Sequence, residues 1–225
     1  MKFAVIVFPG SNCDHDAYYA LNKILKVDVN FVWHKESSLS GCDAILLPGG
    51  FSYGDYLRTG AIAKYSPIMK EVIRNIGKGV PTIGICNGFQ ILIESGILPG
   101  ALIKNRNTKF ISKMVSLDVI SNDSIFTNRI VKNQTITMPI AHGEGNYQAN
   151  GNVLRALKDD DCIAFKYSKN NNSSYYNPNG SVDDIAGIFN KQKNVLGMMP
   201  HPERACEEIL GSRQGINIFK SMIGS

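Results

Sequence analysis

Pro81-Thr82-Ile83-Gly84-Ile85-Cys86-Asn87-Gly88-Phe89-Gln90 carries a short apolar strand into a turn of small residues and then into a helix continued by Ile91, Leu92 and Ile93. Consecutive apolar positions mark a strand buried on both faces. Glycine at 84 and 88 lets strand and helix pack closely across a sharp turn, which holds Cys86 above the sheet at a helix N-terminus. Unpaired amides and the helix dipole there favour thiolate over thiol, and the Asn87 N–H is placed to stabilise an oxyanion. A chain with 5 Cys and 21 Gly in 225 residues contains about 0.04 such Gly-x-Cys-x-Gly elements by chance. The competing reading of Cys86 is a buried structural cysteine.

Outward from this corner the pattern repeats. Phe3 to Phe8 is a continuous apolar run closed by Pro9-Gly10, after which Ser11 or Asn12 can cap a helix running toward Lys26. Val29 to His34 and Cys42 to Leu47 read as strands, the latter closed by Pro48-Gly49-Gly50, and Ser66-Pro67 opens a helix through about Ile76. Alternating strands and helices predict an α/β fold: one domain over residues 1–225 with a doubly wound, mostly parallel sheet flanked by helices. After Phe110, Lys113 to Ile120 and Gln134 to Ile140 follow one another with no helix between, which predicts an antiparallel extension. Ile163 to Tyr167, Ile185 to Asn190 and Val195 to Met199 are further strands. Glu203 to Ile223 reads as one or two helices broken near Gly211, and the Asn/Ser-rich stretch Lys169 to Gly180 as a surface loop.

The last strand leads into Pro200-His201-Pro202-Glu203-Arg204. Pro202 keeps His201 out of the helical region, and in an extended chain residues two apart face one side. The Glu203 carboxylate can then accept the Nδ1 proton of His201, fix its tautomer and leave Nε2 for a thiol. The alternative is that Glu203 merely caps a helix. Cys13 is the rival thiol, but Asp14 and Asp16 beside it oppose thiolate formation.

Composition narrows the classes. The net charge of +5 is spread along the chain and forms no basic run, which argues against nucleic acid. No apolar stretch is long enough to span a membrane, and Met1-Lys2 opens directly onto a core strand, so the expectation is a cytoplasmic protein. Five cysteines without a Cys-x-x-Cys pair read as reduced thiols and not as a metal cluster or disulfide framework. No Walker loop, dinucleotide fingerprint or His-Glu-x-x-His motif occurs.

Together the motifs resemble the class I (triad) glutamine amidotransferases, which have a flavodoxin-like fold. Within them the likeness is to glutaminase subunits of phosphoribosylformylglycinamidine synthase. It rests on six segments in order: Phe8 to Asp14, Pro48 to Arg58, Gly84 to Gln90, Ala141 to Tyr147, Asn177 to Ser181 and Met199 to Arg204. The resemblance implies a Cys86–His201–Glu203 triad, with amides near Gly50, Phe51 and Asn87 holding the oxyanion. Gln90 is placed to help bind glutamine, while His142, Glu144, Asp55 and Arg58 line the substrate entrance or a partner interface. It also implies ammonia transfer to a synthetase subunit that uses ATP and Mg²⁺ to turn formylglycinamide ribonucleotide into its amidine. A small bridging subunit joins some such assemblies, and no cofactor or metal is expected on this chain. Competing readings are the glutaminase subunit of another amidotransferase, another cysteine hydrolase on the same fold, and a non-catalytic binding module.

Overall fold

The computed structural model describes residues 1–39, 41–169 and 176–224. In chain order it forms β1 (Lys2–Val7), α1 (Asp14–Tyr18), β2 (Asp28–Trp33), β3 (Ala44–Leu47), α2 (Pro67–Gly77), β4 (Thr82–Ile85), α3 (Asn87–Glu94) and β5 (Ala101–Ile103). Then follow β6 (Ile111–Val119), β7 (Thr135–His142), β8 (Asn146–Gln148), α4 (Gly151–Asp159), β9 (Ile163–Tyr167), β10 (Ile185–Phe189), β11 (Val195–Met198) and α5 (Ile216–Ile223).

Nine strands form one sheet in the order β2-β1-β3-β4-β11-β10-β9-β6-β7. The first five are parallel to their neighbours and the remaining pairings are antiparallel. The hydrophobic patterns explain the division. Every residue of β3, β4 and β11 is buried, as strands covered on both faces require. In β7, buried residues alternate with partly exposed ones, so one face is apolar and the other meets solvent. Ile83, Ile85, Leu46 and Leu196 are fully buried, and each such side chain stabilises the fold by about 1.5–3 kcal/mol. The sheet follows the expected parallel frame with an antiparallel extension.

Winding reverses between β1 and β3, because the chain leaves β1 toward β2 and later builds β3, β4 and β11 on the other side. In open α/β sheets, ligand sites lie at strand carboxyl ends near such a reversal. Here those ends lead to residues 10–13, residues 48–51, Cys86 and His201. Segments distant in sequence are thus delivered to one place.

Several local expectations change. Neither Ser11 nor Asn12 caps α1; Cys13 occupies the cap position without a side-chain cap hydrogen bond, and the helix continues as π-helical turns over Tyr19–Ile24. The tail holds a 3₁₀ turn at Pro202–Arg204, another at Glu208–Leu210 ended by left-handed Gly211, and only then α5. Helix α4 and the small antiparallel pair β5–β8 are additions to the sequence reading. Half of the loop expected over 169–180, residues 170–175, lies outside the described residues.

Candidate active site

Cys86 sits between β4 and α3 with φ 50° and ψ −103°. A side chain in this sparsely populated region costs on the order of 1–3 kcal/mol, and the surrounding packing has to enforce it. Two contacts do so: the Cys86 amide donates to Met198 O at 2.8 Å, and the Gln90 amide donates to Cys86 O at 3.1 Å. Gly88 is required because a Cβ there would stand 2.0 Å from Leu47 O. The thiol reaches toward Ala141 O at 3.6 Å.

His201 follows β11 in an extended conformation, φ −102° and ψ 91°. Its amide donates to Pro139 O on β7 at 2.9 Å, which fixes the segment against the antiparallel half of the sheet. Its Nδ1 lies 2.5 Å from Glu203 Oε1, and both side chains are buried. The pairing matches the sequence expectation, but the local geometry differs: Glu203 lies in the 3₁₀ turn started by Pro202, not in an extended strand end. Burial opposes a charged ring. The negative charge of Glu203, with further contributions from Cys86 and Cys13, outweighs it and holds the His201 pKa well above the usual value. Nε2 is buried without a hydrogen-bond partner and faces the sulfurs.

Gly49 is the floor on which these groups meet. A Cβ at this position would stand 2.7 Å from His201 Cε1, 3.2 Å from Cys13 Sγ and 3.4 Å from Cys86 Cβ. Cys13 is therefore part of the site, contrary to the weight placed on its acidic neighbours. Arg204 explains the difference: its Nε donates to Asp16 at 2.9 Å and its Nη2 donates to the Cys13 sulfur at 3.1 Å. Asp14 in turn contacts the His15 ring at 3.0 Å.

The expected oxyanion residues separate into two roles. Gly50 has φ 129°, and a Cβ would meet the Asn12 amide at 2.7 Å, so the loop can run here only as glycine. The Phe51 amide is already engaged, donating to Gly10 O at 3.2 Å. Its ring is instead half-exposed at the rim, facing Phe110 at a centroid distance of 6.3 Å. The Asn87 side chain ties the elbow to that loop: Oδ1 accepts the Ser52 amide at 3.1 Å and Nδ2 donates to Gln90 Oε1 at 2.9 Å.

Gln90 is buried with both ends of its amide used, since Nε2 donates to Glu144 O at 2.6 Å. It braces the site from within and is not free to grip a ligand as it stands. His142 is likewise interior, 3% exposed, so it forms no part of a partner surface. Its Nδ1 meets Asn105 Oδ1 at 3.1 Å and its Nε2 has no hydrogen-bond partner. Burial, and then the charge on His201, lower its pKa to about 4. Asn179 explains the Asn177 to Ser181 motif: its amide donates to Gly145 O at 2.7 Å and to the Tyr167 hydroxyl at 2.9 Å, supporting the turn that follows His142 at the end of β7.

At the rim, Asp55 is pushed up to about 6 by burial and by Glu144, whose Oε2 accepts the Thr59 hydroxyl at 2.8 Å. Arg58 is turned to the surface, donating to Glu94 at 2.6 Å. A cavity of about 230 Å³ opens beside Cys13 and His201, lined also by Asn12, Gly50, Phe51, Phe110, Ala141 and Arg204. Larger grooves of about 520 and 500 Å³ lie elsewhere, and neither contains a histidine.

Residues 1–219 match the family model of the CobB/CobQ-like glutamine amidotransferase domain. The chain is 43% identical to a chain of PurLQS from Thermotoga maritima, over 99% of this chain and 97% of that one, with a TM-score of 0.88. A glutamine amidotransferase from Thermotoga maritima shares the fold at 16% identity, covering 100% and 81% of the two chains with a TM-score of 0.57. So does the glutaminase domain of CTPS from Trypanosoma brucei, at 15% identity, 100% and 94% coverage and a TM-score of 0.60. This chain belongs to the family of CobB/CobQ-like glutamine amidotransferases.

Proposed function

We propose that this chain is the glutaminase component of a PurLQS-type assembly and that Cys86, His201 and Glu203 perform the hydrolysis. The observation that carries the catalytic reading is the buried His201–Glu203 pair at 2.5 Å, with Nε2 unpartnered beside a cysteine held in a strained turn. The 43% identity to the PurLQS chain supports the assembly.

In this reading the Cys86 sulfur adds to the side-chain carboxamide carbon of glutamine, and the oxygen takes up negative charge facing the Asn87 and Gly50 amides. His201 gives a proton to the departing nitrogen, so ammonia leaves and a thioester remains. The same Nε2 then takes a proton from water, whose oxygen attacks the thioester and releases glutamate and the thiol. Glu203 keeps the ring oriented and supports its charge throughout. The chain works in the cytoplasm and passes ammonia to a synthetase partner. ATP and Mg²⁺ are consumed there to form formylglycinamidine ribonucleotide, and a small bridging subunit completes the assembly.

The test is amidine synthesis by the reconstituted complex with Cys86→Ala. Loss of glutamine-dependent synthesis with retention of ammonia-dependent synthesis is expected. Normal use of glutamine by the variant would contradict the assignment.

A further inference from the structure

The reaction above asks two segments from different strand ends to keep a fixed relation. One is the loop of Gly50, whose amide faces the developing oxyanion; the other is the turn of His201 and Glu203. The stretch from Pro9 to Cys13 lies along the first. The Phe51 amide donates to Gly10 O at 3.2 Å, the Tyr53 amide to Pro9 O at 2.5 Å and the Cys13 amide to Gly49 O at 3.4 Å. Asn12 closes against the glycine itself, since a Cβ at 50 would stand 2.7 Å from its amide nitrogen and 2.8 Å from its Oδ1. Arg204 joins this stretch to the catalytic turn. Its amide donates to His201 O at 3.2 Å, so its backbone belongs to the turn. Its side chain crosses over, with Nε donating to Asp16 Oδ2 at 2.9 Å and Nη2 to Cys13 Sγ at 3.1 Å. The Cys13 thiol extends the link by donating to Asn12 Oδ1 at 3.5 Å.

We infer that Arg204 is a positioning residue for glutamine hydrolysis: through Cys13 and Asp16 it locks the segment behind the Gly50 loop to the turn that carries His201 and Glu203. The planar guanidinium holds two acceptors in a fixed fork, which an ammonium on a flexible stem does not reproduce. The carbonyl oxygen of glutamine becomes negative only as sulfur adds. Misalignment of the Gly50 amide and the His201 ring therefore raises the barrier and leaves ground-state binding nearly as it was. The inference rests on the glutaminase reading. It also gives Cys13, buried and without a step in the reaction, a part in the site.

Steady-state kinetics of the complex reconstituted with Arg204→Ala test it. The kcat for glutamine hydrolysis should fall by about tenfold to a hundredfold, with KM for glutamine within about threefold of wild type. Ammonia-dependent synthesis should be unchanged. A chloroketone analogue of glutamine should still label Cys86 completely, which makes the loss one of rate per site and not of folded sites. Arg204 is partly open to solvent and lines the cavity beside His201, so millimolar guanidinium should restore part of the rate to Arg204→Ala and none to Cys86→Ala. Arg204→Lys should fall between wild type and Arg204→Ala. A rise in KM with kcat unchanged would overturn the inference, because Arg204 would then grip the substrate. So would a loss that neither guanidinium nor lysine relieves, the mark of a merely structural role. Cys86→Ala, run alongside, separates the two readings. A wild-type kcat in Arg204→Ala beside an inactive Cys86→Ala overturns this inference alone, whereas glutamine turnover by Cys86→Ala overturns the glutaminase reading and this inference with it.

Discussion

His201 Nδ1 lies 2.5 Å from Glu203 Oε1 with both groups buried, so the imidazole tautomer is fixed and only Nε2 is available to the sulfurs. Glu203→Gln keeps the size but removes the charge and can present an N–H where an acceptor is needed. The expected loss in glutamine-dependent turnover is roughly a thousandfold or more, measured with the synthetase partner present.

The same pair sets a pH dependence of stability. The folded pKa of His201 is raised, so the pair's contribution is complete below the unfolded value of about 6.5 and is lost as pH rises through the folded value. Denaturant unfolding at stepped pH above neutrality should show this decline in the wild type and a flatter profile in Glu203→Gln.

His142 behaves oppositely. Its folded pKa of about 4 lies below the unfolded value, so folding favours the neutral ring, and stability falls as pH drops from about 6.5 toward 4. The difference amounts to about 3 kcal/mol at most. His142→Gln should remove this part of the acid sensitivity in unfolding curves at about pH 7 and about pH 4.5.

Gly49→Ala tests the floor of the site. A Cβ 2.7 Å from His201 Cε1 must displace the ring. Misplacing a catalytic group by about 1 Å can cost about a hundredfold in rate, and glutamine-dependent turnover should fall by that order while ammonia-dependent synthesis persists. A variant with normal glutamine kinetics would show that the ring does not act from this position.

Asn87→Ala leaves the Ser52 amide and one side of Gln90 without partners in a buried setting. The expected destabilisation is about 1–3 kcal/mol by denaturant midpoint, with a lower rate because the elbow and the Gly50 loop are no longer joined.

The parallel half of the fold was legible because β1, β3, β4 and β11 are continuous apolar runs closed by turn residues, a pattern set locally. Helix α4 was not legible because it is short: Val153, Leu154 and Leu157 do lie on one face, but nine residues give that pattern only about two turns in which to show. Strands β5 and β8 are short and pair across a long separation in sequence, which leaves no local signal. The Cys86 elbow and the His201–Glu203 spacing are local features and could be read directly. The role of Cys13 could not, because the sequence shows Asp14 and Asp16 beside it while the neutralising Arg204 arrives only through the sheet. Gln90 and His142 resemble substrate-facing groups in sequence because their chemistry is visible there, whereas the inward direction of their polar atoms is not.

The central claim is that Cys86, and not Cys13, attacks the substrate. Treatment of the assembled complex with a chloroketone analogue of glutamine, followed by peptide mass mapping, tests it most directly. The adduct should lie on Cys86, persist in Cys13→Ala and vanish in Cys86→Ala. An adduct on Cys13 that survives Cys86→Ala would contradict the account.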